Sequence, residues 1–147
     1  MLDFQNMELL KVMWLPGEKE ILFEVTTEIS IPIDNEVYKI LENFIDLNKW
    51  SNDYAMQYDA WLKNDDSTIY NLNSCINSVM IEALKSANKI MSHTILFYWF
   101  DVDRTFIEGF NWQLCPISYE KLIEMKLCSP QINSLISPVY PLIFPKF

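Results

Sequence analysis

The apolar positions of this chain follow two periods, and the changes from one period to the other divide it into elements. The sharpest signal is Ile95 to Phe100, six apolar residues without a break, flanked by His93 and Asp101. A run so short and so aromatic predicts a strand buried on both faces. After Asp101-Val102-Asp103-Arg104-Thr105 the pattern becomes alternation. Phe106, Glu108, Phe110, Trp112 and Leu114 share one side, and Ile107, Gly109, Asn111 and Gln113 the other, so a half-solvated partner strand is expected. Near the start, residues 7 to 15 lead into Pro16-Gly17, a turn pair. Beyond it Ile21, Phe23, Val25, Thr27, Ile29 and Ile31 alternate with polar residues as an antiparallel strand would, until Pro32.

Between the two strand pairs the period lengthens to that of a helix. Asp34 is a candidate cap for a first helix, with Val37, Ile40, Leu41, Phe44 and Ile45 as its apolar stripe. Ser51 is a candidate cap for a second, on which Tyr54, Tyr58, Trp61 and Leu62 fall at helical spacing up to the break at Asn64-Asp65-Asp66-Ser67. A third helix spans about Ser74 to Met91, with Ile76, Val79, Met80, Ala83, Leu84, Ala87 and Ile90 forming an unbroken stripe. A fourth is expected from Ser118 to Leu127. The segment 128–147 carries Pro130, Pro138, Pro141 and Pro145 among apolar residues. Each proline removes an N–H, so it reads as an extended strap rather than a helix or central strand. The strap could pack on its own domain or dock on another chain. The order β-β-α-α-α-β-β-α predicts one α+β domain over residues 1–147. Its expected form is an antiparallel sheet of about four strands in two hairpins, with about four helices mainly on one face.

Composition narrows the function classes. With 147 residues, half of them hydrophobic, the chain can bury a core without disulfides or metals. Only two glycines occur, Gly17 and Gly109, which leaves no Gly-rich phosphate loop. Cys75, Cys115 and Cys128 are odd in number and widely spaced, and His93 is the single histidine, so neither a disulfide framework nor a zinc site is expected. The cysteines lie in or beside apolar segments, which predicts inert burial. No apolar run reaches the length of a membrane span, and a cytoplasmic protein without a cofactor is the expectation. Charge is the more telling quantity. Residues 1–66 hold 14 acids and 5 bases, while residues 67–147 hold 6 of each, so the whole net charge of −9 lies in the first 66 residues. A nucleic-acid binder needs a basic stripe, and none is present. An acidic half suits encounter with a basic partner, or simply solubility.

Two stretches carry candidate function. Trp99-Phe100-Asp101-Val102-Asp103-Arg104-Thr105 resembles the first motif of the haloacid-dehalogenase-like phosphotransferases, apolar strand residues followed by Asp-x-Asp-x-Thr. That resemblance implies a small Mg²⁺-dependent phosphatase with Asp101 as nucleophile and Asp103 as acid/base. The chain departs from the motif in placing Arg104 after the second Asp, and in leaving only 42 residues after Thr105, with no further paired acids for the metal. A turn joining two strands is the plainer reading. The second stretch, Trp50 to Tyr70, mixes Trp50, Tyr54, Tyr58, Trp61 and Tyr70 with Asp53, Asp59, Asp65 and Asp66. Aromatics with polar handles anchor interfaces, and acids around them orient a basic partner. The competing reading makes Tyr54, Tyr58 and Trp61 the inner face of a helix. Asp53, Tyr54, Tyr58, Asp59, Trp61, Asp65 and Asp66 are accordingly the expected partner-binding residues. Small size, acidity, an α+β pattern and no catalytic set are together similar to the profile of bacterial toxin-immunity proteins. This similarity implies a non-catalytic inhibitor of a basic, nuclease-type toxin. A structural subunit that buries its C-terminal strap in an oligomer is the remaining alternative.

Overall fold

A computed structural model describes residues 6–100, 115, 117, 120–121, 123–126, 133–136 and 140–146. Their strands are β1 (Glu8–Val12), β2 (Leu22–Glu24), β3 (Thr94–Trp99), β4 (Ile123–Lys126), β5 (Asn133–Ile136) and β6 (Leu142–Lys146). Their helices are α1 (Glu36–Glu42), α2 (Leu47–Asn64) and α3 (Cys75–Ile90), with a 3-10 turn at Thr68–Tyr70. The strands form one sheet in the order β2-β1-β3-β6-β5-β4. The chain is an α+β fold, and its sheet is mixed rather than antiparallel. β1 and β2 make the expected antiparallel pair, Lys11 opposite Phe23. β3, however, enters parallel to β1 after the helical crossover, with Leu10 opposite Leu96, and β6 lies parallel to β3 on its other side.

The Ile95–Phe100 run thus takes the centre of the sheet. Leu96 and Tyr98 point into the larger core beneath the helices, and Phe97 into a second cluster with Val25, Ile136 and Ile143 on the opposite face. Both faces of β3 are buried, as an unbroken apolar run requires. The partner strand expected at 106–114 lies outside the described residues, as do Asp101 and Asp103.

Three expectations are corrected. Residues 123–126 form the strand β4, paired antiparallel with β5, rather than part of a helix. Ile123-Glu124-Met125-Lys126 satisfies period two as well as it satisfies a helical stripe, and pairing with β5 selects the strand. The described parts of the C-terminal segment are extended, but as strands of the sheet rather than a strap laid along it, because β6 sits between β3 and β5. Proline is tolerated there for a local reason. Pro141 and Ile143 turn their carbonyls toward β3, accepting from Tyr98 and Phe100. Period two makes Pro145 the next residue in that series, beyond the described pairing of the two strands, so none of those ladder bonds needs its N–H. Finally, the strand expected from Ile21 to Ile31 is cut to three residues. Glu28 adopts a left-handed φ of 61°, the chain doubles back, and Phe23 bridges Ser30. Thr27 Oγ1 donates to the Glu24 carboxylate and accepts from the Ile29 N–H, so side-chain bonds hold this reversal.

The helices begin where a side chain can accept orphan N–H groups. Asn35, not Asp34, caps α1 by accepting from Val37 N–H. Asp46, not Ser51, caps α2 by accepting from Lys49 N–H, which lengthens that helix by a full turn over the expected one. α3 is the exception: it starts at Ser74, where the sequence pattern put it, but the Ser74 hydroxyl accepts from the Asn77 amide and caps no backbone N–H. At the first turn of the chain, Glu18 N–H bonds the Leu15 carbonyl, and Gly17 takes φ of 80°, the conformation a Pro-Gly turn demands.

Candidate functional site: helix α2 and the groove beside it

The 18 residues of α2 present an aromatic side and an acidic side. Trp50 is buried and donates its indole N–H to the Ile76 carbonyl at 2.9 Å, which ties α2 to α3. Tyr54, Tyr58 and Trp61 are half-buried against the core. Trp14 reaches from the end of β1 to both tyrosines, with ring centroids 5.1 Å apart in each case. Trp50 meets Tyr54 at 5.2 Å, and Trp61 meets Tyr70 edge-on at 5.2 Å. The aromatics expected at an interface therefore form an internal ladder that clamps α2 to β1, β3 and the 3-10 turn.

The acids of the same stretch face outward, each with local work. Asp53 accepts from Lys49 at 2.6 Å, and Asp59 forms an ion pair with Lys63 at 3.1 Å, both one helical turn apart. Asp65 ends the helix in a left-handed conformation with φ of 54°. Asp66 accepts from the backbone and the hydroxyl of Thr68, and those hydrogen bonds hold its carboxyl below the usual carboxylate range. The Asp53 carboxylate in turn raises the Lys49 ammonium above its ordinary value. The stretch is graded rather than cleanly divided: Trp50 and Tyr70 are buried, Tyr54, Tyr58, Trp61, Asp53 and Asp66 half-buried, and Asp59 and Asp65 exposed.

Three side chains join this surface that the sequence pattern assigned elsewhere or passed over. Phe44 and Val79 belonged to expected core stripes, yet they are 41% and 43% exposed; Met56, at 71%, had no stripe. All three line one groove of about 500 Å³ between α2 and α3, with Ile45, Trp50 and Ile76 deeper in it. Asp46, Lys49, Asp53, Gln57, Thr68 and Cys75 supply its polar lining. Cys75 is exposed, against the expectation of burial, because it occupies the first position of α3 at the groove's edge; Cys115 is buried as expected. The sequence held no signal for the groove: Val79 lies on the same stripe as the fully buried Met80 and Leu84, and Phe44 falls two residues beyond the end of α1.

Other candidates dissolve into structure. His93 is exposed, and its carbonyl accepts the Glu8 N–H at the start of the β1–β3 ladder. Lys11 is buried on the face of the sheet opposite the helices, 3.4 Å from Glu28. Burial pulls its ammonium below the ordinary lysine value, and the nearby Glu28 carboxylate offsets part of that. Among the described residues no three His, Cys, Asp or Glu side chains gather as metal ligands. Among the same residues no helix is long and apolar enough to cross a membrane. No protein-family model, curated protein or solved structure matches the chain.

Proposed function

We propose that the protein is a non-catalytic binding protein that neutralises a basic partner, in the manner of an immunity protein against a bacterial nuclease-type toxin. The observation that supports this reading is the acidic excess at the ends of α2 and through the half of the chain around it. Asp53, Asp59, Asp65 and Asp66 stand on one exposed helix and its exit, in the half of the chain that carries all nine units of net negative charge. A nuclease is basic because its substrate is anionic, so an acidic inhibitor competes for the same surface. Lys49 and Lys63 pair with Asp53 and Asp59 and balance the charge within α2 itself, so the acidic excess comes from Asp46 at its start and Asp65 and Asp66 at its exit. Exposed pairs like these two cost little to open and exchange readily for a partner's Arg or Lys.

Co-expression with the product of the adjoining reading frame tests the proposal. The expected result is relief of that product's toxicity and a salt-sensitive complex. Asp59→Asn, Asp65→Asn and Asp66→Asn combined should weaken the complex by slowing association, because the Asn side chains keep the local hydrogen-bond acceptors and remove only charge. A complex indifferent to both salt and the triple substitution would overturn the reading.

A further inference from the structure

The groove between α2 and α3 is the feature that the acidic surface alone does not explain. Of the seven large apolar side chains that stand exposed among the described residues, Phe44, Met56 and Val79 converge on it. Scattered exposed apolar residues are ordinary, whereas a convergent set marks a binding surface. Burial is incomplete in a directed way. Trp50 and Ile76 are packed at the base, 2% and 9% exposed, while the three outer side chains remain in water. The groove therefore has a fixed base and adaptable walls, and Met56 supplies the most pliable wall.

We propose that this groove seats two or three apolar side chains from a segment of a basic partner, with Lys or Arg residues of that segment against the acids of α2. This rests on the basic-partner reading above and names the place where such a partner is held. Size supports it, since about 150 Å³ of apolar cavity holds a benzene, and the groove offers about 500 Å³. That is room for roughly three large side chains, the number an amphipathic segment presents as successive anchors. Charge selects the occupant. Among the described residues the lining carries Asp46 and Asp53 against one cation, Lys49, which is already bound to Asp53. Asp66, hydrogen-bonded to the groove's Thr68, adds a further carboxylate at the exit of α2. A second copy of this chain would bring another net charge of −9 to the same face, and a basic segment brings the complement. Division of labour follows: charge sets the rate of encounter, and the apolar anchors set the lifetime.

Two synthetic amphipathic peptides of matched length test this, one of alternating Leu and Lys faces and one with every Lys replaced by Glu. A third, of Lys and Ser only, lacks the anchors. The full chain is titrated with each, and alkylation of Cys75, read at its own peptide by mass spectrometry, reports groove occupancy. The expected result is saturable, salt-sensitive binding of the Leu/Lys peptide with protection of Cys75. Met56→Lys with Val79→Lys should weaken it at least about tenfold, the scale of a lost hot spot. Both positions are exposed on helices, and an unchanged melting temperature confirms folding. Met56→Leu should bind like the parent. Leu/Lys binding that ignores the two lysine substitutions, or that the Lys/Ser peptide equals, overturns the groove and leaves the basic-partner reading standing. Groove binding shared by the Leu/Glu peptide and insensitive to salt overturns both. A dimer in sedimentation that Met56→Lys dissociates would assign the groove to a second copy and likewise overturn the proposal.

Discussion

Single side chains complete this fold where strands and helices leave backbone groups over. Asn88, on α3, accepts from Leu96 N–H at 2.8 Å and donates to Leu96 carbonyl oxygen at 3.0 Å. The described pairing of β6 with β3 begins only at Tyr98, so one amide stands in for a strand residue. Asn88→Ala should cost about 1–3 kcal/mol for each backbone group left dry, and a urea denaturation series will measure it. Asn77 is fully buried and plays a similar part. Its amide donates to the carbonyls of Ile69 and Asn71, and its oxygen accepts from Tyr98. Burial holds the Tyr98 phenol well above its ordinary value and raises that of Tyr38 as well, although the N–H groups of Leu22 and Ile21 partly offset the latter. Both shifts make the folded state hold its protons where the unfolded chain releases them. Their stabilisation is complete below about pH 10 and is lost as pH rises further. Lys11 acts oppositely: its lowered value makes stability climb with pH until about 10.5. Denaturation midpoints between pH 8 and 11.5 should therefore fall less steeply above pH 10 in Tyr98→Phe. Lys11→Met should abolish the rise that precedes the fall.

Among the elements, α3 and the C-terminal strands carry the architecture. Leu84 is fully buried on α3, in the core shared with Leu96 and Leu10. Leu84→Ala should cost about 2–5 kcal/mol; a loss below half a kcal/mol in the same assay would detach α3 from the core. β6 pairs with both β3 and β5, and Ile136, Leu142 and Ile143 are fully buried. Ending the chain after Ser129 removes that sheet partner and strips one side of β3. The truncated protein should populate unfolded or aggregated states, visible as lost thermal cooperativity and increased light scattering. The helix α2 is different, because its aromatic side is structural and its acidic side exposed. Trp14→Ala should lower stability by opening the ladder to Tyr54 and Tyr58. The combined Asp59, Asp65 and Asp66 substitution should leave the melting temperature nearly unchanged, since exposed pairs contribute little.

At the scale of the whole molecule, charge and packing are divided between surfaces. The helices cover one face of the sheet, and the α2–α3 groove opens on their outer side. Lys11, by contrast, is buried on the opposite face, beside β-strand neighbours Phe23 and Phe97. Salt should therefore separate two behaviours. Folding stability should respond weakly to ionic strength, whereas association with a basic partner should slow markedly between about 50 and 500 mM salt as the Debye length contracts. Stopped-flow association rates will show it, with Glu120→Gln and Glu124→Gln, acids of the half of the chain that carries no net charge, as the control pair.

Local pattern alone determined much of this protein. The β1–β2 pair, the third helix and the doubly buried Ile95–Phe100 strand were all legible, because each depends on the period and turn chemistry of neighbouring residues. Tertiary structure decided what depends on partners distant in the chain. Parallel pairing of β3 with β1 and β6 leaves no mark that distinguishes it from antiparallel pairing in a single buried strand. Residues 123–126 satisfy helix and strand periods alike, and only β5 resolves them. Pro145 is excluded from a central strand only while the strand on its N–H side still needs that bond. Phe44 and Val79 were counted as core because helical spacing reports the face a residue occupies; whether that face is covered depends on where the neighbouring helix lies, and here it leaves a groove.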